Sequence, residues 1–347
     1  MSNYALEKSF LYFGEIFKKN NLFKAWKGRA AILCYHRVLP NLSALPIDSP
    51  FLGHAVSTGR FEEQIKYLSE NYKVVSLDEV GKSIDQSKEE FLVAVTFDDG
   101  YKDNLVHALP ILEKFKIPAT IFVTTMYPDG NEWIWWMELW ETLEDRQSLS
   151  VNFFDKHEEW KFRTSLDRKK CYSKLRNSFI RLDYDTRVAF MQEITGNMKR
   201  PQYSGNVLTW EDIRSLSTHQ LIEIGAHTHT HPSLASLSYD GAREEIFLSK
   251  EKLERQLNCS IKHFAYPFGG TQEVGHREYK LAKEAGFETA SITTPRGVHR
   301  QSRWELPRFV MSEKHTSSYL ELRLSGYESF CRALANNIDY RRLLVWG

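Results

Sequence analysis

Phe91-Leu92-Val93-Ala94-Val95-Thr96-Phe97-Asp98-Asp99-Gly100-Tyr101 is an apolar run that stops on two adjacent carboxylates and a glycine. A short apolar run of this kind reads as a buried β-strand. Similar runs lie on both sides of it, at Ala30 to Tyr35, Tyr72 to Leu77, Ala119 to Thr124, Leu221 to Gly225, Ile261 to Tyr266 and Phe287 to Thr293. Amphipathic stretches separate them. Phe61 to Glu70 carries Phe61, Ile65 and Leu68, and Asp103 to Phe115 carries Leu109, Ile111, Leu112 and Phe115 before Pro118 stops it. Strands alternating with helices around a parallel sheet place the chain in the α/β class, as a distorted (β/α) barrel of about seven parallel strands. In such a barrel the C-terminal ends of the strands form the active-site face, so Asp98 and Asp99 stand where chemistry is expected. A polar turn or a helix N-cap is the alternative reading of the pair.

The bulk properties narrow the function. The 347 residues suit one α/β barrel with an insertion. Lys+Arg at 46 against Asp+Glu at 45 leaves a net charge of +1, which recruits no polyanion, so nucleic acid is not an expected partner. The 42% hydrophobic content is enough for a large core. Cys34, Cys171, Cys259 and Cys331 lie far apart, with no C-x-x-C pair, and are expected to be free, buried thiols. No apolar stretch approaches the ~20 residues that span a bilayer, and the N-terminus lacks the features of a signal peptide, so the cytoplasm is the expected location. Residues 1–29 form a separate N-terminal segment in which Leu6, Phe10, Phe13 and Phe17 recur at helical spacing beside Lys8, Lys18, Lys19, Lys24, Lys27 and Arg29. This amphipathic helix either packs on the domain or lies on an anionic membrane surface, which would put the protein at the inner face.

The barrel domain is expected to occupy residues 30–320, followed by a helical tail at 321–347. Between Tyr127 and Val207 the strand rhythm disappears, and the segment from about 128 to 207 reads as a helical insertion rich in tryptophan. Trp133, Trp136, Trp140 and Leu143 fall on one helical face, which either anchors the insertion to the barrel or offers a surface for sugar stacking or a membrane interface. No internal repeat is present.

A second motif gives the carboxylates their meaning. Ile224-Gly225-Ala226-His227-Thr228-His229-Thr230-His231-Pro232 again follows a short apolar strand. Three histidines at alternate positions are hard to explain as core packing, whereas neutral imidazoles are common zinc ligands. Two histidines and one carboxylate with open coordination positions make a catalytic metal site; solvated loop histidines are the plain alternative.

Thr96-Phe97-Asp98-Asp99-Gly100 and the H-[ST]-x-x-H pattern of His227, Thr228 and His231 resemble the first two motifs of the polysaccharide deacetylases, the NodB-homology carbohydrate esterases. Phe264-Ala265-Tyr266-Pro267-Phe268-Gly269 has the Pro-aromatic-Gly part of the third. The resemblance spans roughly residues 30 to 310 apart from the insertion. It implies that Asp98 is the general base, that Asp99, His227 and His231 hold a divalent metal, and that Thr228 fixes the histidine loop, with no role for His229. It further implies hydrolysis of an N-acetyl group from an N-acetylated sugar in a polysaccharide or glycan intermediate, releasing acetate. Zinc suits the ligands best, with cobalt or nickel also compatible.

Two departures accompany the resemblance. Ala265 stands where the family often has an arginine oriented toward the aspartate, and Glu305-Leu306-Pro307-Arg308-Phe309 lacks the family's late histidine. Arg308 could supply the guanidinium. His36, in Cys34-Tyr35-His36-Arg37-Val38 at the end of the first strand, could supply the general acid. Otherwise Arg308 makes a structural ion pair and His36 is a satisfied strand-end histidine. Two rival functions follow: a degenerate member that binds glycan without hydrolysing it, and an amidohydrolase acting on a small non-sugar amide.

Overall fold

The computed structural model describes residues 23–45, 49–84, 90–131, 133–153, 156–196, 205–299 and 303–335. Its centre is a nearly closed barrel of eight parallel strands: β1 (Ala30–Tyr35), β2 (Leu92–Phe97), β3 (Ala119–Val123), β4 (Ile222–Ala226), β5 (His263–Ala265), β6 (Thr289–Ile292), β7 (Leu306–Pro307) and β8 (Phe309–Val310). The order round the sheet is β7-β6-β5-β4-β3-β2-β1-β8. Only Arg308 separates β7 from β8, so one stretch of chain pairs with β6 at Ser291↔Leu306 and with β1 at Leu33↔Phe309, and thereby draws the two edges together.

Alternation along the buried strands divides their side chains between two environments. Ala30 and Ile32 of β1, Leu92 and Ala94 of β2, Phe122 of β3 and Ala265 of β5 pack together inside the barrel. Ala31, Leu33, Tyr35, Val93, Val95 and Phe97 face outward into a cluster shared with the surrounding helices. The helix Thr58–Asn71 shows how that outer layer forms: Ser57 caps it by accepting from the Arg60 N–H, and Phe61, Ile65 and Leu68 bury one stripe. Gly225 in β4 serves close packing, because a Cβ there would come within 2.4 Å of the Phe122 ring.

One strand expectation needs correction, and one strand lies outside the expected set. Of Tyr72 to Leu77 only Lys73–Val74 is strand, a two-residue neighbour of the start of β2. Val75 and Leu77 are apolar for another reason: with Val80 and Ile84 they pack against Ala30, Ile32 and Leu92 at the strands' N-terminal end. The strand that draws the barrel closed is instead the stretch around Arg308.

The insertion between β3 and β4 contains the helices Trp135–Glu144, Ser165–Phe179 and Tyr184–Thr195, together with an antiparallel hairpin, Ser148–Phe153 with Lys156–Lys161. Leu149 and Val151 are buried while Ser148, Ser150 and Asn152 are exposed, a period of two that the helical reading passes over. The insertion has its own core, in which Trp135 stacks on Phe179 at 5.6 Å and buried Arg187 lies 5.1 Å over the Trp135 ring. Trp133, Trp140 and Leu143 belong to that core.

The four cysteines are free, but only Cys34 and Cys171 are buried. Cys259 is exposed because it follows Asn258, the left-handed cap that ends the helix Tyr239–Leu257, and Cys331 is half-buried. Helices Ser317–Leu324 and Tyr327–Ala335 follow the barrel. Leu6, Phe10, Phe13 and Phe17 lie outside the described residues, and within them no helix is long and apolar enough to cross a membrane.

Candidate active site

Asp98 continues the inward-facing series Ala94, Thr96, Asp98 past the end of β2. Its carboxylate accepts from Arg308 on both oxygens, Nη1 to Oδ1 at 2.6 Å and Nη2 to Oδ2 at 2.7 Å, and the Cys34 thiol donates to Oδ2 at 3.3 Å. Arg308 is fully buried and also reaches the Thr96 hydroxyl at 3.3 Å. Burial alone would raise the Asp98 pKa, but the Arg308 guanidinium, with His227 behind it, overrides that and holds it at about 2. Asp98 is therefore an ionised carboxylate at any ordinary pH.

Asp99 points elsewhere because the backbone turns sharply. Its φ of 72° and that of Gly100, also 72°, put two successive residues in the left-handed region, which glycine accepts freely and aspartate tolerates. Asp99 Oδ1 then lies 3.4 Å from His227 Nε2 and 3.1 Å from His231 Nε2. Thr228 and His231 also have positive φ, at 63° and 55°. Such angles cost on the order of 1–3 kcal/mol each, most for a β-branched residue, and persist only where surrounding bonds impose them. Those bonds are present. The Thr228 hydroxyl donates to the His227 carbonyl and accepts from the His231 N–H at 3.1 Å, while Glu245 accepts from the His229 and Thr230 N–H groups at 2.8 Å each and from the Thr230 hydroxyl.

Asp99, His227 and His231 form a group whose ligand atoms all lie within 4.8 Å of one another. His227 Nδ1 is 2.7 Å from the Ala265 carbonyl, which can only accept, so in the neutral ring the lone pair sits on Nε2, facing Asp99. A tetrahedral cation with bonds of ~2.1 Å separates its ligands by roughly 3.4 Å, close to the spacing of these atoms. The donor set therefore fits a divalent metal. Burial would raise the Asp99 pKa, yet the two imidazoles beside its carboxylate hold it well below the usual range. His229 turns away, with Nδ1 2.9 Å from the Thr125 hydroxyl.

A family model described as "Polysaccharide deacetylase" matches residues 85–290. The chain belongs to the polysaccharide deacetylase family. Over 81 residues it is 37% identical to the Bacillus subtilis (strain 168) protein YxkH, assigned by name to the polysaccharide deacetylases; that match covers 20% of this chain and 29% of the relative. Among solved structures it resembles Streptococcus pyogenes deacetylase PplD in complex with acetate, at TM-score 0.57 and 18% identity over 85% of this chain and 97% of the other. It also resembles IcaB from Ammonifex degensii, at TM-score 0.54 and 18% identity over 86% and 97% of the two chains. At these identities the likeness concerns the fold.

In this chain the two aspartates and two histidines stand at the floor of a cavity of about 440 Å³. His36 lines the same cavity. Its ring lies 4.9 Å from that of His54, its Nδ1 has no hydrogen-bond partner among the described residues, and its ligand atoms group with those of Cys34 and Asp98. The structure thus brings all six singled-out residues together: Asp98, Asp99, His227 and His231 at the floor, His36 beside them and Arg308 behind Asp98. Trp136 and Phe268 form walls, each ring centroid 4.9 Å from that of His231. Trp136 is the one member of the tryptophan stripe that lines this cavity.

Sequence reasoning missed Cys34, Glu245 and His54 as site residues. Cys34 shares its strand face with Ala30 and Ile32, so alternation could have placed it beside Asp98. Glu245 and His54 come from segments with no motif, and no local signal marks them.

Proposed function

We propose that the chain removes an N-acetyl group from an N-acetylated sugar within a glycan by metal-dependent hydrolysis. The observation that carries the reading is the convergence of Asp99, His227 and His231 beside Asp98 on one cavity floor. A divalent cation held by those three residues, zinc first and cobalt or nickel next, would supply Lewis-acid polarisation of the acetyl carbonyl and of water.

The chain's own residues do the rest. Asp98 accepts the proton of the attacking water, and Arg308 keeps that carboxylate ionised and fixed in orientation through two parallel hydrogen bonds. Cys34 occupies a further lone pair of Asp98. Water oxygen bonds to the acetyl carbon, the C–N bond breaks, and the departing amine takes a proton. His36, with an uncommitted ring nitrogen at the same cavity, is the donor we assign. Trp136 and Phe268 offer flat apolar faces against which a sugar ring can stack.

Acetate release from a panel of N-acetylated glycans, with zinc supplied and with a chelator, tests the reading. Release from sugar substrates that stops on chelation is expected. Absence of release from every sugar by zinc-loaded protein would overturn it, and release only from small non-sugar amides would move the assignment to the amidohydrolase class.

A further inference from the structure

The cavity has a charge that the proposed hydrolysis does not use. Arg308 is bound to Asp98, and Arg37 is committed to Asp103 at 2.8 Å while stacking 4.9 Å over the Tyr101 ring. Arg176 has no carboxylate partner among the described residues. It rises from the insertion helix Ser165–Phe179, lines the cavity and is only half-buried, with its guanidinium 5.7 Å over the Phe268 ring. Phe268 in turn packs against His231. Arg176 and the candidate metal ligand His231 thus share Phe268 as a neighbour, and all three line one cavity.

The rest of the lining supplies no competing anion. Asp98 is neutralised by Arg308, and Asp99 lies between two imidazoles. His54 also lines the cavity, and an imidazole, neutral or cationic, adds no negative charge. The other insertion residues on this wall are Trp136, Met137, Tyr172 and Ser173, none of them acidic. A guanidinium presented to a cavity in this way matches an anionic oxygen group, which it can bind through two donors at once.

We propose that Arg176 is the anion-recognising residue of this cavity and that it takes a phosphate or carboxylate group borne by the substrate next to the N-acetylated sugar. The proposal rests on the reading of the floor as a sugar-deacetylating site, and it narrows the substrate to an acidic glycan or a phosphorylated sugar. The insertion then has a function in selectivity: it brings to the barrel mouth a charge that the barrel itself does not offer.

Binding read without turnover tests it. Ligand-observed NMR titrations would compare a phosphomonoester of N-acetylglucosamine, the corresponding uronic acid and uncharged N-acetylglucosamine, in the parent chain and in Arg176→Gln and Arg176→Lys. The parent is expected to prefer a charged probe by roughly tenfold or more, as befits a charge-assisted hydrogen bond. Arg176→Gln should lose that preference while keeping its affinity for the uncharged sugar, and Arg176→Lys should recover part of it. Whether phosphate or carboxylate gains most identifies the group. Equal binding of all three probes by the parent, a preference that survives in Arg176→Gln, or an equal loss on every probe would each overturn the proposal. Selective binding of charged probes with no acetate released from any sugar would instead sink the hydrolytic reading and leave the role of Arg176 standing.

Discussion

Asp98 and Asp99 are adjacent yet meet different partners, and the backbone is the cause. Asp98 keeps the strand's inward direction and meets Arg308, whereas Asp99, at φ 72°, swings to the two imidazoles. On the proposed mechanism the two should separate by mutation. Asp98→Asn keeps the shape and leaves the metal ligands intact, so it is expected to bind zinc normally while turnover falls by about 100- to 10,000-fold, the usual worth of a general base. His227→Ala and His231→Ala each withdraw one of three protein ligands and should lose zinc as well as activity; full occupancy by elemental analysis would refute the ligand assignment. His36→Ala should keep zinc and lose more activity on an amide than on an activated ester, whose leaving group needs no proton. Equal loss on both would remove His36 as proton donor. The motifs made Asp98, Asp99, His227 and His231 legible because strand ends and alternate histidines are local patterns. Arg308 is marked by no local pattern, since its pairing with Asp98 spans 210 residues of sequence, and it is reached from sequence only through the resemblance, as a substitute for the missing arginine.

At the scale of elements, the histidine loop is held from outside. Glu245, on the helix Tyr239–Leu257, accepts three hydrogen bonds from the segment between the two histidine ligands. Glu245→Ala leaves every ligand in place but frees the loop to relax from its positive-φ conformation. Zinc affinity, measured against a competing chelator, is expected to fall by about 10- to 100-fold, and unchanged affinity would show that Thr228 alone fixes the loop. The central strands were legible because they are buried on both faces and read as continuous apolar runs. The closing stretch was not, since proline and arginine interrupt it and it pairs in two-residue pieces. The insertion hairpin was hidden for a related reason: its charged, exposed alternate residues blend with the helices on either side.

For the whole molecule, two neutral histidines away from the site, His263 buried and His315 half-buried, link stability to pH. His263 bonds Thr289 at 2.8 Å and His315 accepts from the Ser312 N–H at 3.0 Å. Burial lowers their pKa values to about 4 and about 3, with nearby cations adding to the effect for His315. In the unfolded chain both would titrate near ~6.5. Below that pH the unfolded state binds protons that the folded state refuses, so the stabilisation present above pH ~6.5 is lost as pH falls toward the folded values. Chemical denaturation at pH ~5.5 should show up to about 1.3 kcal/mol less stability per histidine than at pH ~7.5. His315→Gln should flatten its share, and an unchanged slope would show that His315 does not contribute.

The central claim is that a water, deprotonated at Asp98, cleaves an N-acetyl group on the cavity floor. Mass spectrometry of a zinc-loaded reaction in heavy-oxygen water tests it most directly. The account predicts one heavy oxygen in each acetate released, a free amine on the sugar in equal amount, and both products slowed by about 100- to 10,000-fold in Asp98→Asn that still holds zinc. Acetate formed without the label, or label and amine appearing at the parental rate in Asp98→Asn, would contradict it.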